Sequence, residues 1–180
     1  MYGETIEKFN ESAQNKINFL KSGVSKYFVS SMLAGIYIGL GIILIFSVGA
    51  PLKDLANPFL KALMGASFGL ALVLVIFAGS ELFTGNNMVM TIGLLSKKVT
   101  LTDLLLVWLL SFVGNLTGSL LLAFAIAKSG LLIKPPFNEF ILATSSIKMK
   151  APFIELFIRA ILCNMLVCLA VWTSTRAKDD

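Results

Sequence analysis

The side chains best suited to chemistry in this chain lie in one polar stretch, residues 77–90. The stretch carries one carboxylate, two hydroxyls, two glycines and two amides: Glu81, Ser80, Thr84, Gly79, Gly85, Asn86 and Asn87. Glu81 is the only charged residue between Lys61 and Lys97, so the stretch interrupts a long apolar run. Lipid cannot hydrogen-bond the backbone groups that such a break frees, so the break must be buried in protein or line a cavity. We therefore predict a loop at membrane depth that lines a passage.

The polar groups of this stretch suit the binding of a small anion. A short helix that begins near Asn86 would point its free N–H groups into the loop, and the N-terminal end of a helix attracts negative charge. Thr84 and Asn86 are suited to donate hydrogen bonds to the anion, and Glu81 is expected to hold the loop by accepting backbone N–H bonds. Large apolar residues nearby in sequence would narrow the passage: Phe68, Leu72 and Leu82.

The composition of the chain indicates an all-α, polytopic membrane protein. Of its 180 residues, 57% are hydrophobic and 14% are charged, and the mean hydropathy is +0.86. Nucleic-acid binding is not indicated, because the net charge of +5 is spread along the chain and forms no basic patch with aromatics. The chain has no histidine, which removes the commonest metal ligand and proton shuttle. Without a nucleophile–base pair or metal-ligand spacing, we predict no enzyme, catalytic residue, metal or cofactor.

The elements that must position the polar stretch follow from length and periodicity. Residues 1–26 contain an amphipathic pattern over 4–22, which predicts a cytoplasmic surface helix. A membrane channel domain is predicted over 27–175, followed by a polar tail at 176–180. Single crossings are predicted at 27–48, 102–127 and 152–172, with an outer connection at 128–150.

The run at residues 59–95 does not fit a simple crossing. As one helix its 37 residues would be roughly 55 Å long, against a hydrocarbon core of about 30 Å. It is also too short for two crossings, because only about ten residues follow the polar stretch. We predict one crossing made of two pieces, with a helix, a loop at depth and a short second helix.

Small and polar residues inside the other spans predict contacts between helices. Two Gly-xxx-Gly pairs, at 35 and 39 and at 114 and 118, suggest faces where helices approach closely. Asn115 is interpreted as an interhelical hydrogen-bonding residue, and Glu155 with Arg159 as an ion pair one turn apart. Two residues keep alternative interpretations. Asn164 either joins helices or lines the pore, and Lys148 either reaches the membrane interface or supplies a positive charge that attracts anions.

Three motifs give the chain a resemblance to a known family. Residues 34–42 (AGIYIGLGI), 78–86 (AGSELFTGN) and 164–172 (NMLVCLAVW) resemble the formate/nitrite transporter family, and the resemblance covers about residues 10–175. The loop is most similar to the nitrite and hydrosulfide branch, and especially to the hydrosulfide ion channel. Membership implies an aquaporin-like protomer in a homopentamer. We expect the chain in the lipid bilayer of the inner (plasma) membrane, and the division of Lys and Arg between the two sides favours a cytoplasmic N-terminus. Small monovalent anions would pass through each protomer.

The resemblance also implies roles for individual residues. Leu72, Leu82 and Val167 would form the cytoplasmic constriction, and Phe68 would belong to the periplasmic one. Thr84 would be the threonine of an anion-binding gating loop that includes Gly85 and Asn86. Polar and electrostatic roles in the pore would fall to two further residues: Asn164 and Lys148.

The chain departs from the family pattern in one large respect. Family members have six spans built as two inverted halves, and their second broken helix carries a pore histidine. Here the sequence predicts only the first four of six expected spans. A broken helix normally has a counterpart in the opposed repeat. We expect the fifth and sixth spans to be deleted, proteolysed or supplied by a separate C-terminal fragment.

Three functions are compatible with these features. The leading interpretation is a channel for hydrosulfide, nitrite or formate, gated by the loop of the broken second helix. The first alternative is a proton-coupled transporter of the same anions, in which only Glu81 could titrate. The second, from a different class, is a structural membrane subunit that conducts nothing.

Overall fold

The protein is all-helical in the part that the computed structural model describes, residues 2–55 and 57–177. Seven helices run through these residues: α1 (Gly3–Ser22), α2 (Val24–Asp54), α3 (Leu60–Phe77), α4 (Phe83–Leu95), α5 (Leu101–Ser129), α6 (Phe137–Met149) and α7 (Phe153–Arg176). Among them α2, α3, α5 and α7 are long and apolar enough to cross a membrane. The predicted all-α, multi-pass architecture is confirmed. Most of the predicted polar tail, residues 178–180, lies outside the described residues.

The second crossing is interrupted, as predicted from its length. α3 descends along α2, with Gly41 beside Ala71, and ends at Phe77. The loop at 78–82 then meets α2 near its start, where the Glu81 N–H lies 3.5 Å from the Ser30 carbonyl oxygen. α4 continues to the end of the bundle where α5 begins. The break therefore lies inside the bundle, between two helices of one crossing.

α2 and α5 form the closest helix pair, and glycines make the contact possible. A Cβ atom at Gly35 would overlap the carbonyl of Asn115, and one at Gly118 would overlap the carbonyl of Met32. Both obstacles are backbone atoms, which cannot rotate away. The Gly-xxx-Gly interpretation is confirmed for these two faces, because side chains there would push the helices apart.

α1 packs against the bundle through its predicted apolar stripe. Its residues Phe9, Ala13, Ile17 and Leu20 are buried, whereas Ile6 at the start of the stripe is 38% exposed. They join a core that includes Met90 of α4 and Val107 of α5. The Phe9 ring stacks on Trp172 of α7, with 5.4 Å between ring centroids. α1 thus ties together α4, α5 and α7 on one end of the bundle.

The region after α5 contains a helix that the sequence did not indicate. α6 occupies 13 residues of the predicted connection and buries one large side chain, Phe140, against Phe46 of α2. A single buried residue leaves no helical periodicity to detect, and Pro135 and Pro136 suggest a loop. In α7 the predicted ion pair is present, with 2.7 Å between Arg159 Nη2 and Glu155 Oε2.

Candidate functional site

The loop between α3 and α4 is held by the side chain of Asn115. Its Nδ2 donates to the carbonyls of Ser31 (2.7 Å) and Glu81 (2.9 Å). Its Oδ1 accepts from the N–H of Phe83 at 2.9 Å. The Asn115 amide therefore joins α5 to α2 at Ser31 and to the end of the loop at Glu81 and Phe83. This confirms Asn115 as an interhelical hydrogen-bonding residue.

Glu81 is held by side chains from three helices. Its Oε2 atom accepts from Lys16 Nζ at 2.8 Å, Tyr27 Oη at 3.0 Å and Asn86 Nδ2 at 2.9 Å. The prediction that Glu81 accepts backbone N–H bonds is therefore wrong in its partners. Backbone donors of this segment bond elsewhere, since the Ser80 N–H donates to the Val75 carbonyl and the Phe83 N–H to Asn115.

Ser111 closes this arrangement into a network. Its hydroxyl lies 2.7 Å from Asn86 Nδ2 and 3.0 Å from Tyr27 Oη. Tyr27 and Ser111 are fully buried and Asn86 is 2% exposed. We call these five residues the Glu81 network: Lys16, Tyr27, Glu81, Asn86 and Ser111. Both hydrogens of the Asn86 amide have acceptors inside the network, so this geometry does not direct them to a solute.

Sequence reasoning did not find three members of the Glu81 network. Lys16 lies on the polar side of an amphipathic helix, where a lysine usually faces water. Its partner is 65 positions away, and no local spacing connects them. Tyr27 and Ser111 are polar groups within or at the edge of apolar spans. Such groups need partners in a membrane, and that requirement is the only signal that could have indicated them.

Three of the four predicted constriction residues come together beside the network. Leu82 and Val167 are 9% and 8% exposed and form an apolar cluster with Ala34 and Val75, and Leu72 packs against it. We call this group the apolar cluster. Phe68 lies one turn earlier on α3, half-buried beside Gly41, and is not part of the cluster. The structure thus groups the other three residues and leaves Phe68 outside the apolar cluster.

A cavity of about 310 Å³ reaches from α1 to the apolar cluster. Its polar wall includes Lys8, Lys16 and Glu81, and its apolar wall includes Leu72 and Leu82. A neighbouring cavity of about 370 Å³ shares the same polar wall. We call these two cavities the vestibule.

The hydroxyl of Ser80 also lines the vestibule. Its Oγ atom is buried and has no hydrogen-bond partner among the described residues. Burying an unpaired hydroxyl is costly, so a solute or water is expected to bond with it.

The remaining predicted site residues lie around α4 and beyond it. Thr84 is half-buried in the first turn of α4, where its carbonyl lies 3.9 Å from Cys168 Sγ. Gly85 is buried and lines the vestibule. Asn164 lines a different cavity, of about 410 Å³, on the opposite side of α4. Lys148 is exposed in the last turn of α6.

Asn164 has one satisfied and one unsatisfied amide atom. Its Nδ2 lies 3.6 Å from Cys168 Sγ, and its Oδ1 is buried with no partner within residues 2–55 and 57–177. Asn87 Oδ1 is in the same situation and lines the same cavity. Neither Nδ2 nor Oδ1 of Asn164 bonds to another described helix. The interhelical interpretation of Asn164 therefore gains no support from these contacts.

The arrangement as a whole suits passage of a small solute. The vestibule carries two lysines and two carboxylates, with Lys16 paired to Glu81, and it leads to the apolar cluster. Residues of the interrupted crossing, α3, the loop and α4, line the vestibule and also contribute to the apolar cluster.

Comparison with known proteins agrees with this description. The formate/nitrite transporter family profile matches residues 3–180. The nitrite transporter NirC of Escherichia coli (strain K12) is 37% identical over 178 residues, which are 99% of this chain and 65% of that protein. The uncharacterized transporter YwcJ of Bacillus subtilis (strain 168) is 34% identical over 180 residues, covering 100% of this chain and 70% of that protein.

Two solved structures are also similar. One, described as an FNT family ion channel, is 37% identical with a TM-score of 0.89, covering 98% of this chain and 70% of that one. The other, described as a pentameric formate channel with formate bound, is 30% identical with a TM-score of 0.76, covering 88% and 63%.

The extent of these matches defines what they establish. The chain spans 65% of the length of NirC, so the comparison concerns that part of the relative. Within it, the sequence matches the family profile and the fold is similar to that of an FNT family ion channel. The names of these relatives describe transporters and channels, in agreement with the prediction that the chain is not an enzyme. On this evidence the chain belongs to the formate/nitrite transporter family.

Proposed function

We propose that this protein passes small monovalent anions across the membrane through a pore in each protomer. The observation that carries the proposal is the junction of the vestibule with the apolar cluster at the interrupted crossing. An anion that entered the vestibule past Lys8 would meet Leu72, Leu82 and Val167 before it reached the far half of the bundle. A narrow apolar segment of this kind excludes large hydrated ions.

The loop of the broken helix is the proposed gate. Leu82 belongs to the apolar cluster and directly follows Glu81, which is bonded to Lys16 of α1. A rearrangement of the Glu81 network would therefore move a constriction residue. Thr84 is proposed to meet the anion beyond Leu82, together with Gly85 and the first turn of α4.

The proposed substrates are hydrosulfide, nitrite and formate. The names of two similar proteins mention nitrite and formate, and the loop sequence at residues 78–86 resembles that of the hydrosulfide branch. All three are small monoanions, which suits an apolar constriction flanked by hydrogen-bond donors. Asn164 and Lys148 are proposed to act on the anion as a pore amide and as a source of positive potential.

The proposal places the protein in the plasma membrane as a homopentamer with a cytoplasmic N-terminus. One similar structure is described as pentameric. Lys16 and the vestibule would then face the cytoplasm, where they would collect anions for export or release them after import.

A further polypeptide segment is proposed to complete the wall beside α7. Large apolar side chains of α7 are exposed, including Phe157, Ile161 and Leu166. On the same helix, Asn164 Oδ1 has no partner among the described residues. A covering helix with a hydrogen-bond donor would satisfy the Asn164 oxygen and pack against the exposed side chains of α7. A separate C-terminal fragment is one source of it.

Proton-coupled transport is the second candidate, because Glu81 lines the vestibule. In this structure, however, Glu81 Oε2 already accepts three hydrogen bonds and is paired with Lys16. Because these contacts hold the Glu81 side chain in place, we propose that it anchors the loop and that flux follows the anion gradient alone.

The test is anion flux into liposomes that contain the purified protein, with empty liposomes as the control for diffusion of the neutral acids. We expect flux of hydrosulfide, nitrite and formate that an added proton gradient leaves unchanged after subtraction of the control. A strong stimulation by the proton gradient would instead establish the coupled transporter. Flux no higher than in empty liposomes for all three anions would support the structural subunit and overturn the proposal.

A further inference from the structure

We propose that the hydroxyl of Ser80 binds the permeating anion in the vestibule. Its hydrogen bond would replace one of the water molecules that the anion loses before it passes Leu82. Ser80 would then be a further specificity-determining residue of the passage. This inference rests on the proposed function and assigns one hydrogen-bond donor to that site.

The end of α3 explains why the Ser80 hydroxyl has no partner. A serine inside a helix commonly donates to the carbonyl four residues earlier, as Ser67 Oγ does to the Leu63 carbonyl at 2.8 Å. Ser80 lies beyond the last residue of α3, Phe77, and forms no such bond. It carries the only hydroxyl among the buried side-chain nitrogen and oxygen atoms that lack a partner in the described residues.

The backbone of the loop fixes the position of Ser80. Gly79 has a φ of +68°, the left-handed conformation that suits a glycine just after a helix. The Ser80 N–H then donates to the Val75 carbonyl at 3.2 Å, which closes the last turn of α3. Ser80 lines the vestibule, so its hydroxyl can reach a solute there by rotation about its one side-chain torsion.

The other polar side chains of the vestibule offer an anion little. The charged ones balance, since two are lysines and two are carboxylates: Lys8, Lys16, Glu11 and Glu81. Both hydrogens of the Asn86 amide have acceptors in the Glu81 network. Thr175 Oγ1 donates to the Val171 carbonyl at 2.9 Å. Of the side-chain donors that the loop and α4 contribute to the vestibule, Ser80 therefore remains for a solute.

Ser80 also lies close to the constriction. It is two residues before Leu82 and five after Val75, and both of these belong to the apolar cluster. An anion that enters an apolar segment loses water, and a neutral hydroxyl can replace part of that hydration. A neutral donor holds the anion less tightly than a fixed charge does, and conduction requires that the anion can also leave.

Formate flux into liposomes, measured over a series of formate concentrations, tests this role. In Ser80→Ala we expect the half-saturating formate concentration to rise roughly tenfold, the factor expected for one hydrogen bond to a charged group. Ser80→Thr keeps the hydroxyl and should restore most of this loss. Ser67→Ala is the matched control, because it removes a hydroxyl from the same crossing outside the vestibule, and it should behave as the unaltered protein does.

Unfolding in mixed micelles separates anion binding from a structural role. Without formate, Ser80→Ala should not lower the free energy of unfolding, because the hydroxyl that it removes has no partner. Formate should raise the unfolding temperature of the unaltered protein and of Ser67→Ala, relative to the larger anion gluconate at the same concentration. The increase should be smaller in Ser80→Ala.

The outcomes distinguish this inference from the proposed function. If the unaltered protein conducts formate and Ser80→Ala has the same half-saturating concentration, the Ser80 assignment is wrong and the proposed function stands. A lower free energy of unfolding with unchanged half-saturation would assign the hydroxyl a structural role instead. If the unaltered protein conducts nothing, the proposed function fails. The formate-induced increase in unfolding temperature then decides, and equal increases in the unaltered protein and Ser80→Ala would overturn the assignment as well.

Discussion

Replacing Gly118 with alanine should destabilise the protein by about 3 kcal/mol, the upper part of the usual range for overpacking. The added Cβ would overlap the carbonyl of Met32, so α2 and α5 must separate along their whole contact. Dispersion across the pair would weaken, and lipid offers no hydrophobic drive to restore it. Reversible unfolding in mixed micelles would report the change as a lower free energy of unfolding.

Gly65→Ala is the matched control for this prediction. Gly65 is also a helical glycine of a membrane span, but a Cβ there would meet nothing within 4 Å. Alanine is favoured over glycine in a helix interior by about 1 kcal/mol, so this variant should be neutral or slightly more stable. Equal loss of stability in both variants would show that the α2–α5 contact is not as close as described.

Replacing Glu81 with alanine should cost about 3–5 kcal/mol, as expected when one partner of a buried ion pair is removed. Lys16, Tyr27 and Asn86 would each lose an acceptor at once. The Glu81 and Lys16 side chains are only 12% and 16% exposed, so water replaces these bonds poorly. The free energy of unfolding is again the quantity to measure.

A double-mutant cycle separates the ion pair from the rest of the Glu81 network. Lys16→Met removes the charge and keeps most of the side chain's length. In that background Glu81→Ala should cost less, by about 1–3 kcal/mol, because residues in one network are coupled. Additive losses would show that Lys16 and Glu81 are not energetically linked, and the proposed connection between α1 and the gate would then be wrong.

Much of the fold was predictable because membrane thickness constrains the chain. Residues 59–95 were too long to cross the membrane as a single helix and too short for two crossings, and the interruption at 78–82 is where the polar residues lie. Gly35 and Gly118 also predicted a close helix pair. In lipid no hydrophobic effect drives helices together, so close packing through small residues is a main source of their association. α6 was missed because it buries only Phe140 and leaves no periodic signal.

The site was predictable only in part. The grouping of Leu72, Leu82 and Val167 was implied by resemblance, and local spacing alone does not give it. Glu81 was recognised as an anchor, but its donors were not, since Lys16 reaches it from a helix that appeared to be solvated. Long-range polar contacts of this kind depend on helix packing, which a single sequence does not specify.

Anion flux through a Leu82→Ala variant tests the central claim most directly, namely that the passage runs through the apolar cluster. Leu109→Ala, at a position of α5 that is 59% exposed, serves as the control. Truncation of a buried leucine destabilises by about 2–5 kcal/mol, which would lower the amount of folded protein rather than raise flux. We expect formate flux in liposomes, normalised to folded protein, to rise several-fold for Leu82→Ala and to stay unchanged for Leu109→Ala. Flux that is the same in Leu82→Ala as in the unaltered protein would contradict a passage at this constriction.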